Sequence, residues 1–320
     1  MRIPMPILCQ LFAGSMAILS LTTATVTAAE RVSPNVLLIC VDDLKPTLGC
    51  YGDTIAKTPH IDRLAARGLT FDAAYCNQAV CSPSRNALLV GLRPQSLGIY
   101  DLATNFRKSV PDAVTLPQYF RQHGYRAEAL GKIFHVGHGN TDDQASWDVP
   151  LFKPKNAPTY ALPSGDQQRV DKQGKIRGSV TESADVDDES YHDGAIATEA
   201  VKRLEEAAKQ EAPFFLAVGF IRPHLPFVAP KRYWEMYDPN EMPMPAVGVA
   251  PQSAPEYAPT SFGELRSYAG VPQRGPIDQE LTRHLIHGYY AATSYTDAQV
   301  GRLLDALDRS PVAGNTIIVL

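Results

Sequence analysis

Two continuous apolar runs constrain the fold of this chain more than any other feature of its sequence. They are NVLLICV at residues 35–41 and PFFLAVGF at residues 213–220. Runs without polar alternation are typical of strands buried on both faces of a parallel sheet. Amphipathic helical patterns, clearest at residues 193–210 and 279–310, alternate with such runs along the chain. The order predicts an α/β fold: a mostly parallel sheet flanked by helices on both faces.

Shorter patterns predict further elements of the same kind. The predicted helices lie at residues 58–68, 82–91 and 115–124. The predicted strands lie at residues 69–76, 125–132 and 315–320, and we expect the last one to be buried. Ser82 is the expected cap of the second helix. Residues 137–190 and 238–275 lack periodicity, so we expect irregular surface segments there.

The N-terminal residues predict an export signal. Arg2 precedes the apolar run at residues 7–21, and the small residues Val26 and Ala28 follow at positions that a signal peptidase reads. We therefore expect residues 1–28 to be a cleaved signal peptide and the mature protein to be exported, with a periplasmic, secreted or equivalent location. A membrane anchor is the alternative, which the shortness of the apolar run disfavours.

Composition narrows the function classes. The chain has 320 residues and a net charge of −4, whereas nucleic-acid-binding proteins are usually basic. Four of the five cysteines lie beyond the expected signal peptide, with neither a CxxC pair nor a Cys/His spacing typical of zinc sites. The composition indicates a globular protein that is not a disulfide-stapled scaffold.

Polar side chains follow the predicted strands at the edge where parallel sheets bind their ligands. Asp42 and Asp43 come directly after the first strand. Adjacent carboxylates repel each other, which favours a cation between them, although one could cap a helix and the other be solvated. Lys132 and His135 follow a second strand. His224 follows a third, between prolines that we expect to hold the backbone extended.

The segment QAVCSPSRNALL, residues 78–89, places Cys81 where a helix is predicted to begin. The free N–H groups and the dipole of a helix N-terminus favour an anion there. Arg85, one turn further, adds a guanidinium group suited to phosphate or sulfate. On these grounds alone Cys81 could be buried filler, a metal ligand, a nucleophile or the precursor of another group.

The motif C-S-P-S-R at residues 81–85 resembles the C-x-P-S-R signature of the type I sulfatases, whose cysteine is oxidised to formylglycine. The resemblance extends over most of the chain and is carried by NVLLICVDDLKPTLGCYGD, GKIFHVG, PFFLAVGFIRPHLPF and SYTDAQVGRLLDALD. It implies an alkaline-phosphatase-like fold with a large α/β domain and a smaller C-terminal subdomain. It also implies a sulfuric ester hydrolase that acts on a sulfated sugar or polysaccharide, with 2-O-sulfated uronic acids as the first candidates.

The resemblance further implies a cofactor and a partner. Ca²⁺ would be held by Asp42, Asp43 and the modified Cys81. A formylglycine-generating enzyme would act on Cys81 during maturation, and a sulfated saccharide would be the substrate. Neither nucleic acid nor, after signal cleavage, a membrane is expected as a partner.

Catalytic roles are implied residue by residue. Hydrated formylglycine at Cys81 would carry the attacking hydroxyl. Arg85 and Lys132 would stabilise the aldehyde hydrate and the charge on the sulfate. His135 would assist the second hydroxyl, and His224 would protonate the leaving alcohol.

The family pattern continues beyond what this sequence contains. In the sulfatases, the strand that corresponds to residues 315–320 is followed by an Asp-His pair that completes the metal site, by a sulfate-binding lysine and by the C-terminal subdomain. We therefore expect residues 29–320 to be the N-terminal part of a truncated catalytic domain, with the C-terminal subdomain absent and with low stability and activity. The alternatives are an inactive remnant or carbohydrate-binding protein, and a phosphatase or phosphodiesterase of the same fold. Cys81 disfavours the last, because those enzymes use Ser or Thr with two zinc ions.

Overall fold

A computed structural model describes residues 33–163, 169–170, 174, 176–245 and 252–320. The predicted signal peptide at residues 1–28 lies outside these residues, as do parts of the two segments predicted to be irregular. The strands of the described chain are β1 (Asn35–Val41), β2 (Arg126–Gly131), β3 (Arg169–Val170), β4 (Ile176–Arg177), β5 (Thr181–Ala184), β6 (Phe214–Phe220), β7 (Phe227–Pro230) and β8 (Thr316–Val319). Its α-helices are α1 (Pro59–Ala66), α2 (Cys81–Val90), α3 (Pro94–Leu97), α4 (Phe106–Ser109), α5 (Leu116–Gln122), α6 (His192–Ala207), α7 (Lys231–Trp234) and α8 (Gln279–Asp308).

The central sheet has the strand order β2-β6-β1-β8, and all its neighbouring strands are parallel. In its register, Val36 of β1 lies between Phe215 of β6 and Ile317 of β8. The prediction of a parallel sheet is therefore confirmed. Two small pairs accompany it, an antiparallel β3–β4 and a parallel β5–β7. The segment at 137–190, predicted to be irregular, therefore contributes strands.

Alternate residues of the sheet pack into two separate cores. Leu37 and Ile39 of β1 pack with apolar residues of α1, α6 and α8. Val36 and Leu38 pack with residues of α2, α3 and α4 on the other side. Because successive side chains of a strand point to opposite faces, a continuously apolar strand needs such a core on each side. The predicted layers of helices on both faces are confirmed.

Two strand predictions are wrong in different ways. Residues 69–76 form turns and coil, and Leu69 and Tyr75 are 87% and 88% exposed, because no strand of the described chain pairs with them. β8 is a strand but lies at the edge of the sheet, where Ile317 and Val319 are about half exposed instead of buried. Apolar content indicated strands at both places, but burial depends on what packs beside them.

No helix in the part of the chain that the structure describes combines the length and the apolar composition of a bilayer span.

Candidate active site

β1 ends at Val41 and is followed by two carboxylates in different environments. The Asp42 N–H donates to the carbonyl of Phe220 at 3.2 Å, and the Asp42 residue is 4% exposed. Asp43 has a φ of 55°, in the left-handed region, and its side chain is 56% exposed. Its carbonyl accepts a hydrogen bond from the Tyr289 hydroxyl of α8 at 2.8 Å. The turn after β1 is thus held from β6 and from α8.

α2 begins at Cys81, one residue earlier than the sequence predicts. Val80 precedes it with an extended backbone, and its carbonyl accepts from the Ser84 N–H at 3.1 Å. Ser82 is buried inside the first turn, where its hydroxyl accepts from Asn86 Nδ2 at 3.1 Å instead of capping the helix. The proline of the motif lacks an N–H but fits either start, because first-turn N–H groups have no partner within a helix. Cys81 therefore lies where a helix favours negative charge.

Asp42 holds three elements of the fold together. Arg85 Nη2 of α2 donates to Asp42 Oδ1 at 2.8 Å, and Lys132, just after β2, makes a short ion pair with Oδ2. Lys132 Nζ lies 3.6 Å from Cys81 Sγ, which lies 3.8 Å from Asp42 Oδ2. Arg85 also donates to the carbonyl of Ile133 at 3.0 Å. The sulfur of Cys81 is thereby placed between an ammonium and a carboxylate.

His224 approaches the same carboxylates from the loop after β6. Its Nε2 lies 3.7 Å from Asp43 Oδ2 and 4.0 Å from Asp42 Oδ2. Its Nδ1 lies 2.7 Å from the carbonyl of Leu225, to which it donates. That hydrogen bond orients the ring and leaves Nε2 facing the carboxylates.

Asp193 shapes the loop that carries His224. This fully buried carboxylate of α6 accepts from the N–H of Ile221 at 2.9 Å and from that of Arg222 at 2.7 Å. The His224 N–H then donates to the carbonyl of Ile221 at 3.0 Å and closes a turn. The expectation that the flanking prolines hold this backbone extended is therefore wrong, because a carboxylate from another element turns the chain.

The side chains around Cys81 form a cluster with Asp42, Asp43, Arg85, Lys132 and His224. His135 lies near this cluster, but its side chain contacts another histidine. It is 7% exposed, and its Nε2 lies 3.3 Å from His138 Nδ1. Burial and the nearby Lys132 ammonium lower the pKa of His135 to about 4. This imidazole is neutral at neutral pH and is able to accept a proton.

Burial and neighbouring charges set opposite protonation states in the cluster. Burial alone would raise the pKa of Asp42, but Arg85 and Lys132 outweigh it and lower this pKa to about 2. Partial burial raises the pKa of Asp43, and His224 opposes the rise. Burial raises the pKa of the Cys81 thiol by more than Lys132 lowers it. Asp42 is thus an anion at neutral pH, while Cys81 remains a thiol and lacks the lowered pKa of a reactive cysteine.

The donors of the cluster suit a hard cation if Cys81 carries oxygen. Ligand atoms of Asp42, Cys81 and His224 lie within 4.8 Å of one another, and the carboxylate of Asp43 is next to His224. Calcium takes six to eight oxygen ligands, and a thiol is a poor one. Asp42, Asp43 and an oxygen-bearing derivative of Cys81 fit such an ion in kind, with further oxygens from water or substrate.

A cavity of about 530 Å³ opens beside the cluster. Lys132, His135 and His224 form part of its wall, and segments beyond the sheet, including Tyr160 and Arg177, form the rest. Its volume is within the range of small-molecule sites.

Two contacts of the cluster were not anticipated from the sequence. Glu264 Oε1 lies 3.8 Å from His224 Nε2, and Glu264 comes from the proline-rich segment predicted to be irregular. Tyr289 of α8, whose hydroxyl donates to the carbonyl of Asp43, also accepts from the N–H of Lys45 at 2.9 Å. The sequence carried no local signal for either contact.

The parallel α/β sheet thus gathers a carboxylate pair, two cations and a cysteine-headed helix at the ends of its strands. The family profile described as Sulfatase matches residues 34–320. The chain therefore belongs to the sulfatase family and has its alkaline-phosphatase-like fold, as the sequence motifs predicted.

Individual relatives give the extent of the similarity. Iduronate 2-sulfatase of Homo sapiens is 37% identical over 298 residues, which cover 89% of this chain and 53% of that protein. A sulfatase of Formosa agariphila is 32% identical over 307 residues, covering 91% and 58%. The solved phosphonate monoester hydrolase of Silicibacter pomeroyi has a TM-score of 0.66 at 22% identity, covering 89% of this chain and 61% of that one, which shows the shared fold. The chain spans about half the length of the curated relatives it matches.

Proposed function

We propose that this chain is the formylglycine-bearing part of an enzyme that hydrolyses sulfate esters of a saccharide. The observation that carries the proposal is the position of Cys81. It heads α2, and its sulfur lies 3.6 Å from the Lys132 ammonium and 3.8 Å from Asp42. The raised pKa of its thiol opposes direct thiolate catalysis and so favours a role as a precursor. Ca²⁺ would be held by Asp42, Asp43 and the modified Cys81.

The chain's own residues suit the steps of such a hydrolysis. Hydrated formylglycine supplies two hydroxyls on one carbon, one to attack sulfur and one through which sulfate is released. The amino group of Lys132 lies 3.6 Å from the sulfur of Cys81 and would stabilise the negative charge of the sulfate. Arg85 holds Asp42 and anchors α2. His224, oriented through Nδ1, presents Nε2 as a proton donor for the leaving alcohol, and the neutral His135 would accept the proton of the second hydroxyl.

The proposal is tested by mass spectrometry of the protein made in a host with a formylglycine-generating enzyme. Trypsin cleavage after Arg67 and Arg85 releases residues 68–85, which contain both Cys76 and Cys81. Fragment ions should show an aldehyde at residue 81 and an unchanged thiol at the exposed Cys76, which serves as an internal reference. A Cys81→Ala variant should lose the aldehyde and any turnover of an aryl sulfate. A thiol at both positions would contradict the proposal and favour a remnant or carbohydrate-binding protein.

For the substrate, we propose 2-O-sulfated uronic acids. Support comes from the iduronate 2-sulfatases of Mus musculus and Homo sapiens, at 36% and 37% identity. Release of sulfate from a 2-O-sulfated uronic acid, but not from a 6-O-sulfated hexosamine, is the expected result. Equal release from both, or release from the hexosamine alone, would refute this substrate.

We also propose that residues 1–28 direct export and that the catalytic domain begins at residue 29. N-terminal sequencing of the exported protein should return a chain that starts at Ala29. Recovery of the intact N-terminus from a membrane fraction would indicate an anchor instead.

A further inference from the structure

The cavity next to the Cys81 cluster carries four cationic side chains on its wall, among apolar and neutral residues. Lys132, Lys153, Arg177 and Arg222 line it, and no Asp or Glu occurs among the described residues of the wall. The chain as a whole has a net charge of −4, so this surface differs in sign from the average of the protein. A concave site lined by one sign of charge concentrates ligands of the opposite sign. Lys132 is the cation proposed to stabilise the scissile sulfate. The other three cations of the wall are therefore additional to those that this one sulfate uses.

Arg222 is the clearest sign of a site for an anion. It is 6% exposed, its Nη1 donates to the carbonyl of His224 at 2.7 Å, and no carboxylate of the described chain forms an ion pair with it within 4.0 Å. Burial raises the pKa of Asp193 and the positive charge of Arg222 opposes the rise, but this carboxylate accepts from the Arg222 N–H rather than from the guanidinium. A buried guanidinium that forms no direct ion pair with the described residues keeps part of its desolvation cost, which an anion in the cavity would offset.

The other two cations beyond Lys132 differ in how far they are already neutralised. Arg177 donates to the Tyr268 hydroxyl at 3.1 Å and lies 4.0 Å from Glu264 Oε1. Lys153 is exposed at the wall and forms no ion pair within 4.0 Å in the described chain, although its charge acts on Asp142, whose pKa burial raises. The charge that remains for a ligand therefore comes chiefly from Arg222 and Lys153.

We propose that Arg222 and Lys153 bind a second anionic group of the substrate, a carboxylate or a second sulfate on the saccharide that bears the scissile sulfate. The inference rests on the proposed function. Lys132 and His224 belong both to the Cys81 cluster and to the cavity wall, so a sugar held at Cys81 by its sulfate extends along that wall. The second anion would then distinguish charged saccharides from neutral ones that carry the same sulfate ester.

Equilibrium binding tests this without requiring turnover. Calorimetric titration would compare three disaccharides: a 2-O-sulfated uronic acid, its carboxyl-reduced analogue, and the reduced analogue with a second sulfate at the 6-position. The acid should bind about tenfold more tightly than the reduced analogue, as one charge-assisted contact is lost. If the disulfated analogue regains that affinity, the wall accepts sulfate as well as carboxylate; if it does not, the wall selects carboxylate.

Lys153→Met is the diagnostic variant, because an exposed lysine can be replaced without disturbing the core. It should weaken binding of the acid about three- to tenfold and leave the reduced analogue unchanged. Lys155→Met is the matched control, since Lys155 is also exposed, is two residues away and does not line the cavity. It should change neither affinity.

Two results would overturn the inference: equal binding of the acid and the reduced analogue by the unmodified sequence, or equal weakening by Lys153→Met and Lys155→Met. A parallel assay with an aryl sulfate separates this inference from the proposed function. Turnover of the aryl sulfate without discrimination between the disaccharides would leave the sulfatase proposal standing and the second anion site refuted. If the protein discriminates between the disaccharides but shows neither turnover nor formylglycine, the second anion site stands and the sulfatase proposal is refuted.

Discussion

Replacing Asp297 by asparagine should remove a pH dependence of about 3 kcal/mol from the free energy of unfolding. Asp297 is a residue of α8 that is 1% exposed. Its Oδ1 accepts from the N–H of Ile61 at 2.7 Å, and its Oδ2 accepts from the N–H of His60 at 3.2 Å. It therefore binds the first turn of α1 from the neighbouring helix. Burial raises its pKa from 3.8 to about 6, although these two hydrogen bonds oppose the rise.

The direction of this pH dependence follows from the number of protons that the folded and unfolded states bind. Between about pH 4 and pH 6 the folded protein keeps the proton on Asp297 while the unfolded chain has lost it. The folded state binds more protons there, so the free energy of unfolding decreases as the pH rises through this window. A pKa difference of about two corresponds to about 3 kcal/mol, which is present below pH 4 and lost above pH 6. Asparagine has no proton to lose, so the variant lacks this decrease.

Urea unfolding followed by tryptophan fluorescence at pH 4.5, 5.5, 6.5 and 7.5 would measure the effect. The difference in unfolding free energy between the original protein and Asp297→Asn should decrease by most of this amount as the pH rises. Asp305→Asn is the control on the same helix, because Asp305 is 44% exposed and pairs with Arg63 at 2.6 Å. Its effect should stay within about 1 kcal/mol at every pH. A difference for Asp297→Asn that does not vary with pH would refute the reasoning.

Two further substitutions test the supports of the active site. Gly219→Ala would place a Cβ 2.0 Å from the carbonyl oxygen of Lys132 and should destabilise the fold by about 3 kcal/mol, whereas Gly314→Ala meets open space and should be nearly neutral in the same urea experiment. Similar effects of the two changes would contradict this packing argument. Tyr289→Phe removes the hydroxyl that binds the carbonyl of Asp43 and should cost about 1 kcal/mol. Faster amide hydrogen exchange in the turn after β1 should accompany that loss, and unchanged exchange would count against it.

The sheet could be predicted because the patterns of its strands are local. β6 is apolar along its whole length and β1 is apolar from Val36 onward, which requires cover on both faces, and the 3.6-residue periodicity of α6 and α8 identifies the covering helices. The motif at residues 81–85 also identified the family, because its residues are contiguous. The N-terminus of α2 was nonetheless misplaced by one residue, since Ser82 bonds within its own turn instead of capping the helix.

Local patterns gave wrong predictions where the conformation of a segment depends on contacts with residues far away in the sequence. Residues 69–76 have the composition of a strand but no strand of the described chain beside them. The backbone around His224 turns because Asp193, about thirty residues earlier, accepts its N–H groups. β5 and β7 pair although half of the pair lies in a segment without periodicity. Backbone pairing and long-range hydrogen bonds are properties of contacts, which a local pattern does not contain.

The sequence by itself determined the parallel α/β architecture, the sulfatase motif and the polar residues that follow each strand, because each is encoded in a few neighbouring positions. The tertiary structure alone decided how these residues affect one another. It placed Asp42, Cys81, Lys132 and His224 within a few ångströms of one another, although they span more than half of the chain. It also set the low pKa of Asp42 and the raised pKa of Cys81, and it placed Arg222 at the cavity wall, where Arg222 forms no ion pair with the described residues. Burial and Coulomb interactions depend on distances in space, and only the folded chain defines those distances.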